Sequence, residues 1–411
     1  MTDSPSPTPP KDRILGLDAL RGFALLGILI INIWVFSMPF ATLNNPTVYA
    51  SATPYGEFAG ANYLVWLAGH IFAERKFITL FTVMFGAGII LFTRNKPDSR
   101  AVRLHYRRTA FLLVVGLAHA YLLWYGDILV PYALCGLAVV FARNWEAEQL
   151  FRVGLLLVAI PSLLYIGTGI SLEPGRTFSS WAPTAEALAA EVETYRSGWL
   201  AQFDHRASTA FTQQTSGFLG VTMWRTGGLM LIGMGLYKRG VLTNERSVEF
   251  YRRLLAGGLL GGLSLILAGV WYNSTVDWSV DALFLGSQFN YWGSLLLAGA
   301  YIAGIMLFCR RFGGGMVTTA LSAVGRTAFS NYLLQTLIAT TIFYGHGLGL
   351  FGSVTRVEQA GIVVAIWAIQ IVFSVLWLRF FQFGPMEWLW RTVTYGERQP
   401  LRKQTDSGGE S

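Results

Sequence analysis

Charge is what this chain has least of. Asp, Glu, Lys and Arg together make up 13% of its 411 residues, roughly half of the ~25% usual in soluble domains. So few charges cannot cover a water-facing surface, which excludes an ordinary cytosolic enzyme. Cysteine is nearly absent as well. Cys135 and Cys309 both lie in apolar runs, where packing is expected of them rather than a disulfide. No His, Cys and Asp cluster has metal-ligand spacing, so no metal is expected. Walker loops, G-x-S-x-G and H-E-x-x-H are missing, and the glycine runs at 227–235 and 313–315 suit helix packing or loops. What the chain holds in quantity is apolar: 53% hydrophobic residues, with 28 Phe and 14 Trp, which excludes disorder. The expected fold is all-α, a polytopic transmembrane helix bundle. The net charge of +8 then points to cytoplasmic loops and anionic lipid headgroups, with no nucleic acid.

A bilayer core takes about 20 apolar residues per helix. Candidate spans are 22–42, 77–93, 109–125, 128–142, 153–170, 216–237, 254–272, 288–308, 327–345 and 357–378, about ten in all. The segment 94–108 carries Arg94, Lys96, Arg100, Arg103, Arg107 and Arg108, so it is placed inside. Lys11, Arg13 and Arg21 place the N-terminus inside too. Two crossings fit between these segments, which leaves 59–76 as an interfacial or re-entrant helix on the outer side. Loops 43–58 and 273–287, placed outside, contain no Lys or Arg. Both termini are expected in the cytoplasm. The polar, Pro-rich residues 1–12 read as a disordered cytoplasmic tail, and the first apolar stretch is too long for a cleavable signal peptide. An N-terminal transmembrane half (13–170) precedes an outer amphipathic segment (171–215). A C-terminal half (216–396) and a cytoplasmic tail (397–411) complete the chain. Within the outer segment, 184–204 has helical apolar spacing and is expected to cap the bundle or lie on the membrane.

Ionisable and polar groups inside spans are costly and mark candidate sites. Asp18 and Arg21 stand three apart and meet on one helix face as an anchor pair; Asn32 lies deeper on the same helix. His119 is about 15 Å from the cytoplasmic end of its span. Asp127 follows at the outer turn. A His beside a carboxylate is the usual arrangement for taking a proton from a hydroxyl. Eight residues span about 12 Å of helix, so contact requires the turn to fold back. Otherwise Asp127 serves as an N-cap. Thr327, Asn331 and Gln335 recur every fourth residue as one polar stripe, suited to substrate contacts or to interhelical hydrogen bonds. Arg326 opens that helix from the inner side and can grip a phosphate bidentately. His70 and Glu74, four apart, form either a catalytic pair or a solvated surface pair.

The segments RILGLDALRGFALLGILIIN, FAERKFITLFTVMFGAG, GLAHAYLLWYGDILVPYALCG, YRSG, GRTAFSNYLLQTLIATTIFYGHGLGLFG and FGPMEWLWRTVTYG, taken together and in this order, resemble the YeiB-like family of bacterial inner-membrane proteins. The C-terminal half of that family is known as domain of unknown function 418. The opening LDxLRG pattern is also similar to the wider transmembrane acyltransferase superfamily, which includes lysosomal heparan-glucosamine acetyltransferase and bacterial O-acetyltransferases. That likeness implies acyl transfer from cytoplasmic acyl-CoA to an acceptor at the outer face, using a membrane-embedded His. The O-acetylating branch has a His near the end of the first span, where this chain has Asn32, so the role would pass to His119 or His70. The resemblance also places the protein in the bacterial cytoplasmic membrane.

The expectation that follows is a membrane-embedded acyltransferase with acyl-CoA as donor. Arg326, Arg107, Arg108 and Arg21 would hold its phosphates. His119 would act as base, with Asp127 and His70 beside it, and Asn331, Gln335, Glu74 and Asn32 would line the substrate path. Membrane lipids and a small-molecule, lipid or glycan acceptor are the expected partners, together with a second copy in a homodimer. The alternative is a transporter or lipid-flipping protein that uses the same polar groups without covalent chemistry.

Overall fold

A computed structural model describes residues 14–48, 58–173 and 175–403. The tail expected over 1–12, most of the outer loop 43–58 and the end of the tail 397–411 lie outside the described residues. Among the described residues 78% are helical and no strand occurs.

The α-helices run in order as α1 (Leu15–Ser37), α2 (Ala41–Asn44), α3 (Gly60–Phe72), α4 (Lys76–Thr93), α5 (Asp98–Ala118), α6 (Leu129–Val139), α7 (Ala147–Ser171) and α8 (Ala185–Arg196). They continue as α9 (Phe203–Thr212), α10 (Met223–Lys238), α11 (Val248–Thr275), α12 (Ser287–Phe312), α13 (Met316–Arg326), α14 (Ala328–Phe343), α15 (Arg356–Phe380) and α16 (Pro385–Tyr395). A π-helical turn, His119–Leu123, extends α5, and another, Gln213–Thr222, leads into α10. Six helical runs are long and apolar enough to cross a membrane: Leu15–Ser37, Gly60–Thr93, Ala147–Ser171, Val248–Thr275, Ala282–Phe312 and Arg356–Phe380. α7, α11 and α15 turn large apolar side chains outward, among them Leu156, Leu163, Leu260, Trp271, Val364 and Val372. A helix apolar on its outer flank as well as its inner one belongs in lipid.

Contacts sort the connecting segments into two sets. In one, Arg94 donates to Tyr237, Arg143 to Asp98, Arg310 to Asn244, and Arg107 to the Val393 carbonyl. In the other, the Gly352 amide donates to Ser37 O, Trp181 to Trp278 O, and the Val357 amide to Asn62. The arginine-rich segments thus gather at one end of the bundle.

Glycines set the closest helix crossings. A Cβ on Gly22 would lie 1.9 Å from the Leu321 carbonyl oxygen, and one on Gly325 1.9 Å from that of Asp18. Side chains at either position would therefore force α1 and α13 apart. Gly86 and Gly233 do the same for α4 and α10, each with a backbone carbonyl at 2.0 Å from the Cβ position. Cys135 and Cys309 are buried and free.

Each of the segments 59–76 and 184–204 contains a break in its helix. α3 and α4 form one apolar run, Gly60–Thr93, broken at 73–75, where Arg75 takes a left-handed backbone (φ 66°). α3 packs against α1 through Gly69, where a Cβ would meet the Trp34 ring at 2.6 Å. Lys76 finds its hydrogen-bond partners across this break, in the His70 carbonyl and Asn290. The helix expected over 184–204 ends at Arg196. Beyond it the YRSG segment docks on the glycine-rich turn after α14: the Gly345 amide donates to Tyr195 O at 2.9 Å, and Tyr195 stacks on Phe351 with centroids 4.4 Å apart.

Candidate functional site: a buried histidine relay

α5 does not end in a regular cap. Its last turn widens into the π-helical turn that starts at His119, and Trp124 is extended (φ −156°, ψ 123°). The chain reverses and returns as α6. This reversal cancels the axial separation of His119 and Asp127. His119 Nδ1 lies 2.8 Å from Asp127 Oδ1, and both side chains are 1% exposed. Asp127 Oδ2 accepts the Val130 amide at 2.7 Å, so one carboxylate orients the imidazole and caps α6 at once. The carboxylate thus contacts both His119 and the first turn of α6.

The other ring nitrogen, His119 Nε2, lies 2.9 Å from Thr336 Oγ1 on α14. A carboxylate on Nδ1 selects the Nδ1–H tautomer, which leaves Nε2 to accept from a hydroxyl. Asp127, His119 and Thr336 therefore form a carboxylate–imidazole–hydroxyl relay. Tyr332 supports it: its ring is 5.1 Å from the His119 ring, and its hydroxyl accepts the Ile128 amide at 3.2 Å. Thr336 was not legible as a partner, being one more Thr in an apolar helix; its position one residue past the polar stripe was the one hint.

The segment 171–215 clamps the π-helical turn. Arg206 Nε donates to Tyr121 O at 2.8 Å, and Trp199 Nε1 to Leu122 O at 2.7 Å. Arg206 is 1% exposed, with both Nη atoms unbonded. No motif in the sequence singles out Arg206.

The polar stripe turns toward α15. Asn331 Nδ2 donates to Thr327 Oγ1 and Ser374 Oγ at 2.9 and 2.8 Å. Gln335 Nε2 donates to Gln370 Oε1 at 3.0 Å. Asn331 Oδ1 and Gln335 Oε1 keep unfilled acceptor capacity, but most of the stripe works as interhelical bonding. Asn32 is half-buried on α1. Arg21 pairs with Asp18 at 3.0 Å, the expected anchor.

The remaining basic residues hold the C-terminal segment. Arg107 donates to Val393 O at 2.9 Å. The Arg108 guanidinium lies 4.3 Å from the Trp390 centroid, while Trp390 Nε1 donates to Arg108 O at 2.8 Å. Arg326 donates to Gln382 O at 3.3 Å. Glu387 on α16 caps α14, accepting the Phe329 amide at 2.6 Å and the Ser330 hydroxyl at 2.6 Å. Burial pushes the Glu387 carboxyl above the usual range, against these stabilising hydrogen bonds.

His70 and Glu74 are not a solvated pair. His70 Nδ1 lies 2.6 Å from Glu74 Oε2, with side chains 9% and 16% exposed, and Trp66 stacks on the His70 ring at 5.0 Å. Trp66 and Trp124 belong to one buried aromatic cluster with Trp34, Phe36 and Tyr125, which separates this pair from the His119 relay.

Lipid-facing apolar helices around buried polar groups define a multi-pass helical membrane protein. Comparison of sequences narrows this. The family model described as a protein of unknown function, DUF418, matches residues 236–397. The uncharacterized protein YeiB of Escherichia coli (strain K12) is 33% identical over 400 residues, covering 96% of this chain and 99% of YeiB. The uncharacterized protein YxaH of Bacillus subtilis (strain 168) is 32% identical, over 97% of this chain and 98% of YxaH. The chain belongs to the YeiB-like DUF418 family.

Proposed function

We propose that the protein is a membrane-embedded acyltransferase that moves an acyl group from cytoplasmic acyl-CoA to a hydroxyl or amine at the outer face. The observation that carries this reading is the dry Asp127–His119–Thr336 relay. Nε2 already contacts a hydroxyl, and an acceptor hydroxyl in the place of Thr336 Oγ1 would meet the same lone pair. His119 would take that proton as the acceptor oxygen attacks the thioester carbonyl. The C–S bond then breaks, and the proton passes to the departing CoA thiolate, giving an ester and free CoA. Asp127 would hold the ring and its tautomer. The arginine-rich end, with Arg107, Arg108 and Arg21 beside Arg326, offers an electropositive approach for the CoA phosphates; Arg206 covers the opposite side of the relay. Ten crossings, with both termini in the cytoplasm of a bacterial cell and the inner membrane as host, fit the gathering of basic segments at one end.

The test is to reconstitute the protein in vesicles, supply radiolabelled acetyl-CoA on the arginine-rich side, and use a crude lipid and glycan extract as acceptor pool. Protein-dependent transfer of label with release of CoA is expected. Failure to bind acetyl-CoA saturably, with no label transferred above empty vesicles, would contradict the reading and favour transport.

A further inference from the structure

The break between α3 and α4 gathers charge that the histidine relay does not use. Lys76 starts α4 and is 0% exposed. Its Nζ donates to the His70 carbonyl and to Asn290 Oδ1 on α12, both at 2.6 Å. Arg225 on α10 is 9% exposed, and its Nη2 donates to Thr79 and Ser294 hydroxyls at 3.1 Å each. The Arg225 guanidinium lies 4.1 Å and the Arg75 guanidinium 5.8 Å from the centroid of the same ring, Tyr291. Three basic side chains thus converge on the break. The carboxylate among them is Glu74, 3.7 Å from Arg75 and already shared with His70.

The unfilled hydrogen-bonding capacity is one-sided. Arg225 Nη1 and Asn290 Nδ2 are buried and make no hydrogen bond. Asn290 cannot be flipped to hide this, because its oxygen already accepts from Lys76. A buried unpaired donor is destabilising, and excess buried cationic charge is more so. An apolar or cationic ligand would relieve neither. The N-terminal end of α4 adds the positive pole of its dipole at the same place. Half-helices interrupted within a membrane present such ends to anionic groups.

We propose that Lys76, Arg225 and Asn290, with Arg75 at the rim, bind a phosphate-type oxyanion, carried either on an anionic lipid headgroup or as free phosphate. Arg225 Nη1 and Asn290 Nδ2 are its donors. Lys76 and Arg75 neutralise its charge, and Tyr291 holds both guanidiniums in place. This binding does not depend on acyl transfer.

Thermal unfolding of the full chain is followed in phosphatidylcholine nanodiscs against inorganic phosphate at constant ionic strength, and native mass spectrometry records lipid retained from phosphatidylglycerol nanodiscs. For free phosphate, a saturable stabilisation is expected that persists in both disc types. For a headgroup, phosphatidylglycerol is retained and the response to phosphate is lost in discs containing it. In either case Arg225→Gln should weaken binding by about 30-fold or more, the scale of losing one member of a buried charge pair. Arg75→Gln, at the half-exposed rim, should weaken it less. If Arg225→Gln does not fold, Arg225→Lys decides, since it keeps the charge and removes the Nη donors. Equal binding by the wild type and the folded variants would overturn the proposal, as would neither phosphate stabilisation nor retained lipid in the wild type.

Discussion

The protein buries two histidine–carboxylate pairs, and both sit where a helix is interrupted. His119–Asp127 closes across the π-helical turn after α5; His70–Glu74 ends α3 just before the break. Their surroundings differ in kind. Within the relay itself each polar atom has a partner, Asp127 using both oxygens and His119 both nitrogens, while the unbonded Arg206 Nη atoms and Trp124 Nε1 lie outside that chain of bonds. Around His70 the pair is outnumbered by Arg75, Lys76 and Arg225, and the unbonded atoms nearby are donors. A closed chain of hydrogen bonds suits moving a proton along it, whereas a donor-rich cluster suits holding an anion. The two pairs look alike in sequence and differ by what neighbouring helices bring to them.

The sharpest way to break this contrast is Asp127→Asn. The amide removes the group that fixes the His119 tautomer while leaving a capping oxygen for Val130. Transfer measured with radiolabelled acetyl-CoA should fall by roughly 10²–10⁴-fold, with acetyl-CoA binding kept. Full activity would reduce Asp127 to a helix cap. A second substitution sharpens the other side. Glu74→Gln removes the carboxylate that competes with an anion near Arg75, so phosphate affinity in the nanodisc titration should rise by tenfold or more, one charge ~4 Å away at an effective dielectric near 20 being worth up to about a thousandfold before salt screening. A weaker phosphate response would show that Glu74 positions the site rather than opposing it.

Much of this architecture was legible from sequence. The ten apolar segments coincide largely with helix, because a chain so poor in charge leaves long apolar runs little else to do in lipid, and six helical runs are long and apolar enough to cross a membrane. The pairing of Asp18 with Arg21 followed from helical spacing alone. The relay did not. Helix arithmetic puts His119 and Asp127 about 12 Å apart, and only the reversal at Trp124 brings them together. Likewise Gly22 in LDALRG gave no sign that Leu321, some three hundred residues later, would lie against it. Nor did the run Glu74, Arg75 and Lys76 give any sign that Asn290, which accepts from Lys76, would come from a distant helix.

Smaller effects test the frame that holds both pairs. Gly325→Val pushes a side chain into the Asp18 carbonyl, so detergent-solubilised protein should lose at least the roughly 1–3 kcal/mol typical of overpacking, read as a lower unfolding temperature. No change would mean that α1 and α13 part easily. Glu387→Gln should give the least. Because burial raises the Glu387 carboxyl, its favourable contribution is complete below the ordinary value of 4.5 and is lost as pH rises through the shifted value. Gln titrates nowhere, so the variant should gain in stability relative to wild type as pH climbs through that window. A difference that stays flat with pH would place the Glu387 carboxyl at its ordinary value.

The central claim is that His119 is the base. Radiolabelled acyl transfer by His119→Gln and His70→Gln, assayed side by side in vesicles at equal amounts of folded protein, tests it most directly. The account predicts loss of transfer in His119→Gln with acetyl-CoA binding intact, and continued transfer in His70→Gln. Transfer that persists in His119→Gln and disappears in His70→Gln would contradict it and move the chemistry to the break between α3 and α4.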